Sequence, residues 1–370
     1  MSQSLGPTSS ARDESNIEEM RPVLIASAHD VRYLTALLRG VNFANRATVT
    51  ITQYGFNVVV EEARTIMATA FVRNHVFQEY QYFPEKDVDN QSSQNSDIDP
   101  SEAFSQFEIQ LNTLLECLNI FGTAGQGSLS SHSKGGAKRW RNDDDGGDGD
   151  DDGPRNRRGR GVNQQSNHID HYFSDTKRGT GMRLTYNGAG HPLILVLAED
   201  STGPTAKCEI TTFDSEPHLE LSLPPENTHF KVILNSSWLR DALSELDPSC
   251  EKLTFIGNPP VQNPRGARAP SKPLFRIQAA GTFGSTEMDY PNDRDVIETF
   301  LCEHPVSFTY RFNHISKTLR ALQNSTKTSL RIDGEGLLSL QFIIPFPKVG
   351  GTGHTDEFLE FLCLPLDDDV

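Results

Sequence analysis

The chain is short of the features that would place it in several familiar classes. Its 370 residues include only five cysteines (Cys117, Cys208, Cys250, Cys302 and Cys363), an odd number, widely scattered and without a CxxC pair. This argues against a disulfide framework or a structural zinc site and for a reducing compartment. There is no run of ~18 apolar residues, so no segment reads as a membrane-spanning helix. The opening stretch, MSQSLGPTSSARDESNIEEM, is polar and acidic and lacks the apolar core of a signal peptide. Positive charge is also in deficit: 34 Lys and Arg face 50 Asp and Glu, for a net charge of −16. That balance argues against nonspecific nucleic-acid binding over the whole surface but leaves room for a local basic face. The sequence contains no P-loop, no GxSxG, no HExxH and no Cys–His constellation.

Several segments cannot bury enough apolar surface to offset the cost of ordering them. These are residues 1–20, KDVDNQSSQNSDIDPSEA (Lys86 to Ala103) and a long stretch at 123–178 that contains DDDGGDGDDDG and RNRRGRG. Periodic sequence resumes at MRLTYNGAGHPLILVLAED, so 123–178 reads as a disordered insertion within a domain. A shorter insertion, NPPVQNPRGARAPSKP, runs from Asn258 to Pro273. Within the long insertion, KRWR (138–141) and RNRRGR (155–160) flank the acidic run. They fit a bipartite nuclear-import signal, or alternatively a charge-patterned tether.

What is left repeats. RATVTITQYGFNVVVEEA (Arg46 to Ala63) and KTSLRIDGEGLLSLQFII (Lys327 to Ile344) can be laid together without a gap, with Lys327 on Arg46, Ile332 on Ile51 and Gly336 on Gly55. Each reads as a hairpin. Upstream, VRYLTALLRGVNFAN spaces Leu34, Leu38 and Val41 as on one helix face, and the same alignment puts Ile315, Leu319 and Leu322 on those positions. Leu111, Leu115 and Leu118 repeat the spacing, as do Leu239, Leu243 and Leu246. Each helix follows a β-like run (RPVLIAS, EAFSQFEI, HFKVILN, VSFTYRF) and precedes further strands, ending with TIMATAFV, AKCEITTF, STEMDY and EFLEFLCL. Past Gly55 and Gly336 the two hairpins alternate out of phase, which a β-bulge would explain.

The pattern predicts an α+β protein of four βαβββ repeats in two similar domains. The expected divisions are a disordered N-terminus at 1–20, a first domain at 21–216, a connector at 217–228 (within PHLELSLPPENT), a second domain at 229–366 and an acidic tail at 367–370.

Two halves of this kind joined by a connector resemble the sliding-clamp (PCNA-like) fold, and the resemblance implies antiparallel sheets outside and helices on the inner face. HDVRYLTALLRGVNFANRATVTITQYGFNVVVEEA, LNTLLECLNIFG, LRDALSELDPSCEKLTF and TSLRIDGEGLLSLQF, in that order, resemble the Rad-one subunits of the checkpoint clamp from Val23 to Pro365. The resemblance implies a nuclear heterotrimeric ring with two other clamp-like subunits. A dedicated clamp loader would place it on double-stranded DNA, where it would recruit checkpoint and repair proteins. A homotrimeric replication clamp is the weaker alternative, because the closer local resemblance is to the checkpoint subunit. Ser-Gln pairs at Ser2, Ser93 and Ser105 would suit damage-responsive kinases.

In such a clamp the polar faces of the helices meet the phosphate backbone and read no sequence. The DNA-facing candidates are Arg32, Arg39 and Arg46 in copy one, Arg240 in copy three, and Lys317, Arg320 and Lys327 in copy four. Copy two offers Glu108 and Glu116 instead, and copy three sets Asp241, Glu245 and Asp247 against Arg240, so the lining is expected to be only half basic. The family's partner-peptide pocket would draw on Phe71, Leu221, Leu223, Ile343, Phe346 and Phe358. Exonuclease activity is also associated with the family, but two-metal chemistry needs converging carboxylates. The densest acidic run, Asp143 to Asp152, has no scaffold, and no pairing is legible among Asp30, Glu61, Glu62, Asp333 and Glu335. The expectation is therefore no enzymatic role, no cofactor and no metal.

Overall fold

Asp30 opens the first helix: its carboxylate accepts the backbone N–H of Arg32 at 2.9 Å, satisfying a donor that the helix leaves unpaired. Helix α1 (Val31–Val41) then buries Leu34, Leu37, Leu38 and Val41 along one side. The computed structural model describes residues 21–84, 103–122, 179–199, 202–260, 273–347 and 354–366. The expectations for 1–20, 123–178, the 367–370 tail, most of the two shorter insertions, Ser2, Ser93 and both basic clusters lie outside the described residues.

In chain order the first half contains β1 (Leu24–Ala28), α1, β2 (Arg46–Thr52), β3 (Gly55–Glu62), β4 (Ile66–Arg73) and β5 (Glu79–Tyr82). It continues with β6 (Ser105–Gln110), α2 (Leu111–Leu118), β7 (Gly181–Tyr186), β8 (Leu193–Ala198) and β9 (Thr205–Ile210). Beyond the connector come β10 (Thr228–Asn235), α3 (Ser236–Ser244), β11 (Cys250–Gly257), β12 (Phe275–Gly281), β13 (Gly284–Tyr290) and β14 (Ile297–Cys302). The last repeat is β15 (Val306–Arg311), α4 (Phe312–Ser316), α5 (Leu319–Asn324), β16 (Lys327–Asp333), β17 (Leu338–Pro347) and β18 (His354–Cys363). Strands β5 and β14 are not expected from the sequence.

Every sheet is antiparallel. One orders β5-β1-β7-β8-β9 and a second β13-β12-β11-β15. The third has nine strands, β14-β10-β16-β17-β18-β4-β3-β2-β6, and so runs through both halves. Its seam is the β18–β4 ladder, with Phe358 opposite Phe71 and Cys363 opposite Ile66. The helices lie side by side in the order α2, α1, α5, α3, and α1 and α5 pack on β3, β4, β17 and β18. They therefore cover one face of the shared sheet. Alternation along β17 sends Leu338, Leu340, Phe342, Ile344 and Phe346 to that face, where all five are buried.

Copies one and four differ in two places. Ile51 pairs with Phe56 across a hairpin whose turn is short, whereas its equivalent Ile332 pairs with Leu338, one residue later than a gapless alignment allows. A one-residue slip exchanges the faces of a strand. This accounts for the out-of-phase alternation, so a longer turn replaces the expected bulge. Asp333 organises that turn by accepting from the backbone N–H groups of Glu335 and Leu337. The second difference is that α1 is continuous while its counterpart breaks into α4 and α5 at Lys317 and Thr318. There the Thr318 hydroxyl donates to the Ile315 carbonyl at 2.7 Å, competing with the helical ladder.

Candidate DNA and peptide interfaces

Most of the candidate phosphate ligands already have acidic partners. Asp30 holds Arg32 through both carboxylate oxygens, with the shortest distance 2.6 Å. The side-chain hydrogen bond to Asp30 raises the Arg32 pKa further above its ordinary value. Arg46, at the start of β2, bridges Glu108 at 2.8 Å and Glu216 at 3.1 Å, and hydrogen bonding to Glu216 leads the upward shift of its pKa. Arg240 pairs with its neighbour Asp241. Lys317 is mostly buried, forms an ion pair with Glu62 and lies 5.3 Å from the Phe43 ring centre. Lys327 pairs with Glu298 at 2.8 Å.

Arg39 and Arg320 gather at one spot. Arg39 occupies the last turn of α1, and Arg320, exposed on α5, donates to the Asn42 carbonyl at the end of α1 at 2.8 Å. Cations suit this position, because a helix C-terminus carries partial negative charge. The equivalence of Arg39 with Arg320, and of Arg46 with Lys327, thus extends to their surroundings. The first pair sits at the α1–α5 junction, and the second is matched by glutamates on strands near its own.

The six pocket residues do not come together. Ile343 and Phe346 are three apart on β17, an odd separation that sends them to opposite faces. Phe346 is buried against Tyr33 of α1, with ring centres 5.3 Å apart, and belongs to the core. Leu221 and Leu223 belong to the connector, which lies over the outward face of the shared sheet. Leu223 is buried in a small cluster with Met67, Leu337 and Leu362, with Leu221 and Leu364 packed against it. The Leu219 N–H donates to Glu61 at 2.8 Å, fixing the connector's path. Beside it opens a cleft of about 570 Å³ lined by Leu221, Leu337, Leu364 and Pro365, with Arg311 and Asp333 at its polar side. Phe71, Phe358 and Ile343 lie elsewhere on the outward face, in a row across β4, β18 and β17.

Two further features are not legible in the sequence. Glu357 is fully buried on the helix-covered side of β18, and His75 Nε2 lies 2.9 Å from its Oε1 without forming a good hydrogen bond. Burial pushes this carboxyl up to about 7, partly offset by the Arg73 backbone and charge. On the outward face, Glu360 accepts from Arg331 (3.0 Å), Ser339 (2.7 Å) and Gln341 (3.1 Å), forming a polar ridge across three strands. Ser105 is buried in β6 beside Tyr82, which removes that Ser-Gln pair from the surface.

Four strand–helix repeats, a sheet shared by two halves and four helices along one of its faces define a sliding clamp. A family model described as "Repair protein Rad1/Rec1/Rad17" matches residues 23–344, and the chain belongs to this family. It is 30% identical to mouse "Cell cycle checkpoint protein RAD1", with 92% of each chain covered. It is 27% identical to "DNA damage checkpoint control protein rad1" of Schizosaccharomyces pombe, over 91% of this chain and 84% of the relative. "DNA repair exonuclease REC1" of Mycosarcoma maydis is 28% identical, over 93% and 96%. This last relative corrects the expectation of no enzymatic role: a protein aligned along nearly the whole chain is named as a nuclease, so family membership does not exclude that chemistry. No helix among the described residues is long and apolar enough to cross a membrane.

Proposed function

We propose that this protein is one subunit of a heterotrimeric nuclear checkpoint clamp that encircles double-stranded DNA and recruits checkpoint and repair factors. The observation that carries the reading is the row of four helices over a sheet common to both halves, in a chain of this family. The halves divide at the connector, 21–216 from 229–366. Among the described residues, strands β9 and β13 each have a neighbour on one side only. Such open edges invite pairing with another chain, and they are the proposed seams to the two other clamp-like subunits. The α1–α5 junction, with Arg39 and Arg320, is the centre of the DNA-facing surface. Arg32, Arg46, Arg240, Lys317 and Lys327 exchange their carboxylate partners for phosphates or sit behind it. The connector cleft around Leu221 and Leu364 takes partner peptides. The checkpoint and repair names of the relatives support the nuclear setting.

The test is reversal of Arg39 and Arg320 to Glu in the assembled complex. DNA retention should weaken, and the log–log salt slope should fall by about 0.9 for each phosphate that is no longer neutralised, with folding unchanged. Retention and slope identical to wild type would overturn the reading, as would a homotrimer of this chain around DNA.

The Mycosarcoma maydis relative supports a second reading, a DNA exonuclease. No group of three or more His, Cys, Asp or Glu side chains poised for a metal occurs among the described residues, so no described residues are assigned to that chemistry. Its test is degradation of end-labelled duplex by the purified chain with Mg²⁺, and loss of that activity in a carboxylate variant.

A further inference from the structure

All five cysteines are free thiols, and the fold brings two of them together. Cys117 lies on the flank of α2, one turn beyond the buried Leu114 and next to the buried Leu118. Cys208 lies in β9 between Lys207 and Glu209, which point outward and pair with each other at 2.6 Å. Alternation turns Cys208 to the opposite face with Ile210, across the ladder from the fully buried Leu195. Helix α2 packs on β9. Both side chains rest half-buried against the same apolar core, one from the helix and one from the strand.

The two sulfurs also feel each other. Burial pushes the Cys117 thiol up to about 11, and the adjoining Cys208 thiol adds to the rise through a hydrogen bond and its charge. Two of the other cysteines are engaged differently: Cys302 donates to the His304 carbonyl at 3.0 Å, and Cys363 lies 3.8 Å from His314 Nδ1. A thiol held protonated attacks slowly, so Cys117 is no activated nucleophile. What distinguishes the pair is proximity. Once one sulfur is capped, the other is already in place, and the closing step is intramolecular. Neither thiol is fully buried, so a small oxidant can reach them.

We propose that Cys117 and Cys208 form a reversible modification site, a dithiol that a low-molecular-weight disulfide such as oxidised glutathione converts to an internal disulfide. One protein thiolate attacks a sulfur of the oxidant, whose S–S bond breaks to release one glutathione and leave a mixed disulfide. The second protein thiolate attacks the capped protein sulfur and expels the other glutathione. The two thiol protons end on the two glutathiones, so the protein dithiol is oxidised and the glutathione disulfide is reduced. Reversible bonds of this kind are compatible with a reducing compartment. The bond staples α2 to β9 and closes the loop that contains residues 123–178. Strand β9 is one of the proposed subunit seams, so the staple lies behind that seam; this consequence alone rests on the clamp reading.

The test is incubation of the full-length chain with oxidised glutathione at about pH 8, alkylation of the remaining thiols, and peptide mass spectrometry under non-reducing conditions. A peptide linking Cys117 to Cys208 should appear, with Cys250, Cys302 and Cys363 alkylated. The oxidised chain should melt several degrees higher than the reduced chain, and dithiothreitol should reverse both changes. Cys117→Ser and Cys208→Ser should each abolish the linked peptide and the rise in melting temperature, and leave glutathione attached to the surviving partner. Cys250→Ser should change neither. Melting of the reduced variants shows whether they fold, and the wild-type linkage map stands without them. The proposal is overturned if the linked peptide is absent, if Cys117 or Cys208 pairs with another cysteine or between chains instead, or if the linked chain melts no higher than the reduced one. All of this is read on the free chain, so the result is independent of whether the chain assembles into a clamp.

Discussion

Copies one and four align without a gap over helix and hairpin, yet they solve two local problems differently. Copy one closes its hairpin tightly, at Gly55, whose φ of +139° is open only to glycine. A Cβ there would sit 2.1 Å from the Val72 carbonyl oxygen. Copy four uses a longer turn, and the glycine in the equivalent place, Gly336, has φ +88° and faces the movable side chain of Phe308. Copy one keeps an unbroken helix, and copy four breaks its helix at Thr318. Aligned residues can therefore carry different weights. What a repeat preserves is the face each element presents to the core, and the turn adjusts so that this face is kept.

The comparison can be broken most forcefully at one pair of leucines. Leu38 is fully buried, while its equivalent Leu319, just past the helix break, is only half-buried. Urea unfolding should show Leu38→Ala destabilising by about 4 kcal/mol and Leu319→Ala by about 1–2. Equal losses would mean that the break has no effect on packing. The glycines come next. Gly55→Ala should cost about 3 kcal/mol, since both the backbone conformation and the Val72 carbonyl oppose it, and Gly336→Ala about half as much, because Phe308 can move.

A pH-dependent effect of comparable size belongs to the seam between the two copies. The Glu357 carboxyl is raised from 4.5 to about 7 in the folded state. Its contribution to stability is therefore fully present below about pH 4.5 and is lost as pH rises through about 7. Glu357→Gln should be more stable than wild type by about 3 kcal/mol at pH 8 and no more stable at pH 4. Parallel melting curves at the two pH values would check the sign. The smallest effect should come from the exposed pair: Lys327→Ala should change stability by less than about 1 kcal/mol. Arg46→Ala leaves the buried Glu108 carboxylate without its ion-pair partner and should cost more. If either unfolds the protein, the charges are structural and their part in DNA binding must be reconsidered.

The fold is largely legible in the sequence because Leu34, Leu115, Leu239 and Leu322 repeat one burial pattern that local spacing records. The candidate interfaces are less so. Lys317 and Glu62 meet across the two halves, far apart in sequence, and no local spacing announces such a pair. Phe346 reads as a pocket residue only while β17 has no register, since parity along a strand decides which face a ring occupies. Strand β5, EYQY, is silent in the sequence because its short run shows no apolar alternation. Glu357 reads as one acid among many until the sheet buries it.

The β4–β18 ladder also has a consequence in time. Strand β4 is complete when the ribosome passes Arg73, but its partner along the seam does not begin until His354. At about 5–20 residues per second, roughly 15–60 seconds separate the two. Over that interval the nascent first half presents a bare edge, with Phe71 and Met67 beside it, to whatever else is nearby. Strand β18 closes the first half's exposed border, so a chain cut short before His354 is left with an adhesive edge rather than a slightly shorter clamp.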